Sequence, residues 1–265
     1  MAVAGGTARI WDALEREPLS EPFEHEGPID RVAFSPDGNT VAAVSQDDTA
    51  RLWDVRMRLP TPVSWPLPGQ AREVRFSADG ARVALAAGNS AQIYDPQTGA
   101  PLTPSMAHSS VVNSVSISPD GRVLSTTSED KTVKLWDTTS GLAFGEPLVH
   151  DGTTWTADFS ADGRWLATSS RDRLLRIFEV QTHRLTNSFQ HPGEVIGAEF
   201  SPDGTTVLTA DHCRRQSRQE AIAPAGYGTE LGRRLHWEAV RRGAGRAKQI
   251  LVLGPYFLTV PRVCC

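Results

Sequence analysis

Three times in this chain a histidine is followed 22 residues later by an aspartate that has a serine two places before it. The sets are His25 with Ser45 and Asp47, His108 with Ser128 and Asp130, and His150 with Ser170 and Asp172. A histidine, a hydroxyl and a carboxylate are the parts of a nucleophilic triad, in which the imidazole takes the hydroxyl proton while the acid orients it. A catalytic site occurs once, whereas these sets recur, and no G-x-S-x-G elbow accompanies any of them. Repetition argues for buried polar staples instead. Other chemistries fail on spacing. His212 and Cys213 are adjacent, with no second Cys/His pair nearby, which is no zinc arrangement. Neither phosphate-binding glycine motif occurs, and the nearest run, GYGTELG from Gly226, has the wrong spacing. The expectation is a chain with no catalytic residue, metal, cofactor or small-molecule substrate.

The elements that position these residues follow from a repeat. FSPDG at Phe34, FSADG at Phe76, ISPDG at Ile117, FSADG at Phe159 and FSPDG at Phe200 recur at 42, 41, 42 and 41 residues. A second series keeps step: RIWD, RLWD, QIYD, KLWD and RIFE end at Asp12, Asp54, Asp95, Asp137 and Glu179, spaced 42, 41, 42 and 42. Two anchors sharing one period define a repeat array.

Within a unit the period is two. In VVNSVSISPDG, Val115 and Ile117 alternate with small polar residues and stop at a Pro-Asp-Gly turn. RVLSTTS, TVKLWD and the less regular FGEPLV supply three further strands, joined by turns such as EDK. Four short strands make an antiparallel sheet with two apolar faces, too small to stand alone, so neighbouring units must stack on both. Radial stacking of such sheets gives a β-propeller.

The Trp-Asp dipeptides, the period and the Ser/Pro/Asp/Gly turn resemble the WD40-repeat family over residues 2 to about 212. The spelling FSPDG, with PLSEPFEHEGP before a unit, is similar to arrays in large bacterial signalling proteins. The resemblance implies an all-β propeller of about five blades, closed or open, where the family usually has seven. It also implies a hydrogen-bonded tetrad per blade: His25, Ser45, Asp47 and Trp53; His108, Ser128, Asp130 and Trp136; His150, Ser170 and Asp172, with Phe178 in the Trp place. In such a tetrad the turn carboxylate accepts from the imidazole and backbone amides, and the serine bridges to the indole N–H. The unit with Leu67, Gly88 and Tyr94 in these places should be the least firmly pinned.

The family binds proteins or peptides mainly on one loop face. Carried over, its contact positions four residues before the turn aromatic are Asp30, Arg72, Asn113, Trp155 and Ile196. Those six before it are Pro28, Gln70, Val111, Thr153 and Glu194, and those before the turn Asp are Gln46, Glu129 and Arg171. Trp155 is expected as an exposed ring beside Arg171 and Glu129, the composition of a binding hot spot.

Both ends of the array are irregular. Ala2–Ala4 reads as a stub of a second strand and Thr7–Trp11 as a third; after Ala210 the pattern stops in mid-strand, at ADHCRRQ. N-terminal third and fourth strands paired with C-terminal first and second strands would close five blades. The division is residues 1–212 as propeller, with anchors at 11, 53, 94, 136 and 178, and residues 213–265 as a basic non-repeat tail. Residues 214–265 hold ten Lys/Arg and three Asp/Glu, against 17 and 28 in residues 1–213, so the net −4 divides into +7 and −11. A short helix over Glu230–Arg242 is expected. The tail reads as a nucleic-acid or anionic-membrane segment, a capping segment, or the product of a reading-frame shift near Cys213; the failure in mid-strand favours the last.

Composition agrees with a globular chain: 39% hydrophobic and 22% charged residues exclude a polyelectrolyte or collagen. No 18-residue apolar run and no secretory leader are visible. Three cysteines, two of them at the end, make no disulfide framework, which points to a reducing, cytoplasmic setting. The functional expectation is a non-catalytic scaffold with a protein or peptide partner, without membrane or nucleic-acid ligands apart from the basic tail. The other readings are a regulatory or sensor fragment of a larger signalling protein, and a truncated remnant.

Overall fold

The computed structural model describes residues 2–4, 6–12, 14–55 and 63–212, and these are all-β. The expected tail over 213–265, Cys213 and the helix over Glu230–Arg242 lie outside them. An N-terminal sheet orders β1 (Ala2–Ala4), β2 (Thr7–Arg9) and β3 (Phe23–Glu24). The first complete blade is β4 (Ile29–Phe34), β5 (Thr40–Ser45), β6 (Thr49–Asp54) and β7 (Val63–Pro66). The second is β8 (Ala71–Phe76), β9 (Val83–Ala87), β10 (Ser90–Tyr94) and β11 (Met106–Ala107). The third is β12 (Val112–Ile117), β13 (Val123–Ser128), β14 (Thr132–Asp137) and β15 (Leu148–Val149). The fourth is β16 (Thr154–Phe159), β17 (Trp165–Ser170), β18 (Leu174–Glu179) and β19 (Leu185–Gln190). A last sheet has two strands, β20 (Glu194–Phe200) and β21 (Val207–His212). Neighbouring strands within each sheet are antiparallel, in the meander order of the sequence. Among the described residues β21 does not pair with the N-terminal sheet, so the array is open where sequence also allowed a closed ring.

The Ser-x-Asp-Gly motif explains the first turn of each unit. In every copy the serine hydroxyl donates to the aspartate two residues on. The glycines that follow, Gly38, Gly80, Gly121, Gly163 and Gly204, all have φ between +67° and +73°. That region is costly for a residue with a Cβ, so glycine is required by the turn.

The core lies between blades. On β5, Val41 and Ala43 pack against the N-terminal sheet, while Ala42 and Val44 pack against the second blade. On β9, Val83, Leu85 and Ala87 face the first blade, and Ala84 and Ala86 face Val112, Val115 and Leu124 of the third. Period-two alternation thus serves two interfaces from one strand. Each strand-end aromatic of a complete blade (Trp53, Tyr94, Trp136, Phe178) faces the preceding sheet.

Small residues on β9 set how closely the second and third blades approach. Ala86 is fully buried against the third blade, so Ala86→Leu should cost about 1–3 kcal/mol by overpacking. Chemical denaturation of the variant measures this, and an unchanged midpoint would show a looser interface.

Candidate functional site

The polar staples come first, because they hold the loops that carry the surface residues. In the third blade His108 Nδ1 lies 2.9 Å from Asp130 Oδ2, and its Nε2 lies 2.6 Å from Thr126 Oγ1. Trp136 Nε1 donates to the same Thr126 oxygen at 2.8 Å. With His108 neutral, one relay runs from the indole N–H through the threonine hydroxyl and the imidazole to the carboxylate. Asp130 also accepts from the Ser109 and Thr132 amides and from the Thr132 hydroxyl.

The serines therefore do not bridge to the tryptophan. Ser128 Oγ donates to Ser110 O and accepts from the Asp130 amide, and Ser170 does the same with Gly152 O and Asp172. Ser45 accepts from the Asp47 amide. The reason is register: Trp136 pairs with Leu124, so the nearest hydroxyl on the same face is at Thr126, and Ser128 lies a further two residues along. Sequence reasoning missed Thr126 and Thr168, which stand four residues before the turn aspartate.

The other staples are partial. In the first blade His25 Nδ1 meets Asp47 at 3.1 Å and packs edge-on against Trp53, but Ala43 stands in the place of Thr126. His25 Nε2 is buried without a partner. In the fourth blade His150 Nε2 contacts Thr168 Oγ1 at 2.9 Å, yet Nδ1 contacts Leu148 O rather than Asp172. Arg176 reaches Asp172 at 2.7 Å and takes that carboxylate, while Leu174 replaces the bracing threonine. The second blade substitutes apolar contact: Leu67 and Tyr94 are buried, and the Trp65 and Tyr94 rings lie 5.4 Å apart.

The candidate contact residues converge. Each inner strand has one extra residue near its start, where the register with the next strand shifts: at Asp30, Arg72, Asn113, Ile196 and across Trp155–Thr156. A bulge re-aims a side chain that would otherwise alternate between blades. These five residues line one cavity of about 340 Å³, together with Arg31, Gln70 and Glu73 among others.

Hydrogen bonds run around the cavity wall. Gln46 and Gln70 both donate to Asp30, at 2.9 and 3.2 Å. Arg72 donates to Asn113 Oδ1 at 2.8 Å and to Glu129 at 3.3 Å, and Asn113 donates to Thr154 O at 2.9 Å. Buried Glu73 lies beside Arg75 and Arg31, at 3.4 and 3.8 Å, and burial pushes its carboxyl upward against the pull of both cations. Arg171 pairs with Glu194 at 3.0 Å. The carbonyls of Pro28, Gln70, Val111 and Thr153 accept the amides of Gln46, Gly88, Glu129 and Arg171, which latches each loop to its turn.

Trp155 corrects an expectation. It is half-buried in the cavity wall rather than an exposed ring, and its Nε1 is buried without a hydrogen-bond partner. Arg171 and Glu129 are engaged by Glu194 and Arg72. The bulge at 155–156 turns the ring toward the axis. The cavity thus has a polar side at Asp30, Arg72 and Asn113, and an apolar side at Trp155 and Ile196.

Meandering four-stranded sheets stacked around a shared cavity define an array of the β-propeller class. Residues 16–54, 100–137 and 148–179 match the family model described as WD domain, G-beta repeat. These three segments are WD40 repeats, and they support a WD40-repeat family for the array. The unit carrying Leu67, Gly88 and Tyr94 falls outside the matched segments. A search of curated proteins gave no match. WD40 repeats generally mediate protein–protein interaction, and the family is generally non-catalytic.

Two predictions follow from the staples. Thr126→Val removes the one oxygen shared by Trp136 and His108, and should cost about 1–3 kcal/mol for each group left unpaired. Ala43→Ser gives His25 Nε2 a hydroxyl and should raise stability by about 0.5–1.5 kcal/mol. Denaturation midpoints of the two variants should move in opposite directions.

Acid should destabilise the array in two stages. Burial, reinforced by Arg176, lowers the His150 pKa from the ordinary 6.5 to about 4. Burial would raise Asp47 and Asp130, but their threonine, histidine and amide donors outweigh it and hold both at about 2. All three groups are depressed in the fold, so the unfolded chain binds protons first as pH falls, and stability declines. The histidine stage runs from about 6.5 to about 4. The carboxylate stage runs from about 3.8 to about 2. Melting temperatures measured down this range should show both, and His150→Gln should shrink only the first, without removing it, because burial also lowers His25 and His108.

Proposed function

We propose that this protein is a non-catalytic scaffold that holds a protein or peptide segment in the cavity ringed by the bulge residues. The observation that carries the reading is the convergence of Asp30, Arg72, Asn113, Trp155 and Ile196 on one cavity. Arg72 supplies a cation, Asp30 and Asn113 supply acceptors, and Trp155 with Ile196 supplies apolar surface. Such a mixture fits an extended segment with one carboxylate or carbonyl group and one apolar side chain. The repeated His/Ser/Asp sets serve the fold in this reading, since their hydroxyls and imidazoles bond inside blades. We further assign residues 1–212 to the array and residues 213–265 to a separate basic segment, on the break in repeat and charge. In the same reading the protein works in a reducing, cytoplasmic setting, which the sparse cysteines support.

Peptides selected by display on the immobilised protein test the cavity. Arg72→Ala and Trp155→Ala should each weaken their binding tenfold or more, while Arg122→Ala, on an exposed turn of the third blade, should not. Thermal melts keep a folding defect apart from a binding defect. Peptides whose binding ignores both cavity substitutions would overturn the reading.

A further inference from the structure

Among the described residues the two end sheets of the array are short of four full strands in complementary ways. The N-terminal sheet has outer strands β2 and β3, and only the three residues of β1 lie along β2 where a full blade has a six-residue strand. Just past β2, Trp11 is 41% exposed, with the Arg9 guanidinium 5.9 Å over its ring. Arg9 Nε is buried without a hydrogen-bond partner. The C-terminal sheet has the inner strands β20 and β21, and among the described residues nothing pairs with the outer edge of β21. On β21, Thr209 Oγ1 and both carboxylate oxygens of Asp211 are buried without hydrogen bonds, although Asp211 is only 2% exposed and has His191 Nδ1 at 3.5 Å.

The repeat gives the register in which these groups meet. Val207 and Thr209 stand where the third blade has Leu124 and Thr126, and Arg9 and Trp11 stand where it has Lys134 and Trp136. In that blade Leu124 pairs with Trp136, Thr126 pairs with Lys134, and Trp136 donates to Thr126. The same register sets Trp11 opposite Val207 and Arg9 opposite Thr209. It offers the indole N–H to the orphaned Thr209 hydroxyl. It also brings the Arg9 guanidinium to the acidic end of β21, as Arg176, in the place of Arg9, reaches the Asp172 carboxylate. The tryptophan ring would then lie beside Val207, over Ile177 and the half-buried Phe189 of the fourth blade.

Among the described residues of one chain the two sheets do not pair. We propose that β2 and β3 of one copy add to β21 of a second copy of this chain, displacing the three-residue β1. The result is a four-stranded blade, ordered β20–β21–β2–β3, built from two molecules. Such a contact is heterologous: the joined pair keeps one free end of each kind, so copies join head to tail in series.

Sedimentation equilibrium of the full chain, over a wide concentration range, should show a mass rising above the 28.8 kDa of one copy. Trp11→Ala removes an exposed ring and should weaken association tenfold or more with an unchanged melt. Asp211→Lys should do the same from the other end, and Asp211→Asn gives a milder loss should the lysine disturb folding. Mixing the Trp11→Ala and Asp211→Lys chains is decisive. Each keeps one sound end, so the mixture should form a one-to-one dimer that does not grow, although neither chain associates alone. A wild-type mass constant at one copy overturns the proposal. So does a mixture that forms no dimer. If β21 amides in monomeric wild type resist hydrogen exchange, the edge is filled within the chain, by its own β2 or by residues 213–265, and the proposal again fails.

Discussion

Each of the four complete blades has apolar residues on both faces, and a four-stranded sheet with two such faces cannot remain in water unaccompanied. The rest of the structure follows from that constraint. Alternate residues of β5 and β9 are committed to different neighbours, so a strand has no solvent face and no freedom to slip by one residue. The strand-end aromatics all turn the same way, toward the preceding sheet, because the repeat copies one register into each blade. Stability is then a chain of nearest-neighbour interfaces, and among the described residues each end sheet packs against one neighbour only.

Against that background the polar staples have a narrower task than their recurrence suggests. Only the third blade carries the full relay from Trp136 to Asp130. The first lacks its hydroxyl, the fourth gives its carboxylate to Arg176, and the second replaces the set with Trp65, Leu67 and Tyr94. All four blades nevertheless adopt the same strand order. Burying polar groups gains little net energy over a well-packed apolar cluster, so the second blade is a workable alternative rather than a defect. What the relay adds is direction: its bonds form only when the loop before the inner strand and the turn after the second strand meet in one alignment.

The parts legible in the sequence are those set by local chemistry. Period-two alternation marks the strands, Ser-x-Asp-Gly marks the turn that needs a glycine at positive φ, and the 41–42-residue spacing marks the unit. The residues misread are those whose role depends on register between strands. Ser128 looks like the bridging hydroxyl because it recurs beside the turn aspartate, whereas Thr126 is chosen by its position beside Trp136. Arg176 could capture Asp172 only because Leu174 leaves that carboxylate unbraced, which no spacing reveals. Position in the repeat makes Trp155 look like an exposed ring, whereas the bulge that follows Thr154 breaks the strand's alternation at that point.

That same bulge connects the fold to its use. A residue on a regular inner strand must fit one of two packed interfaces, so its size and polarity are dictated by a neighbour. The extra residue in each inner strand escapes both, and the repeat delivers all five such residues to one axial cavity. Freed from packing, they differ as core positions do not: an acid, a base, an amide, an indole and a branched aliphatic side chain. Neighbouring loops then hold the polar ones through Gln46, Gln70 and Glu129, so their geometry is set before anything binds. A scaffold built by copying one unit gains an individual surface only where the copy need not pack, and the bulge is that place.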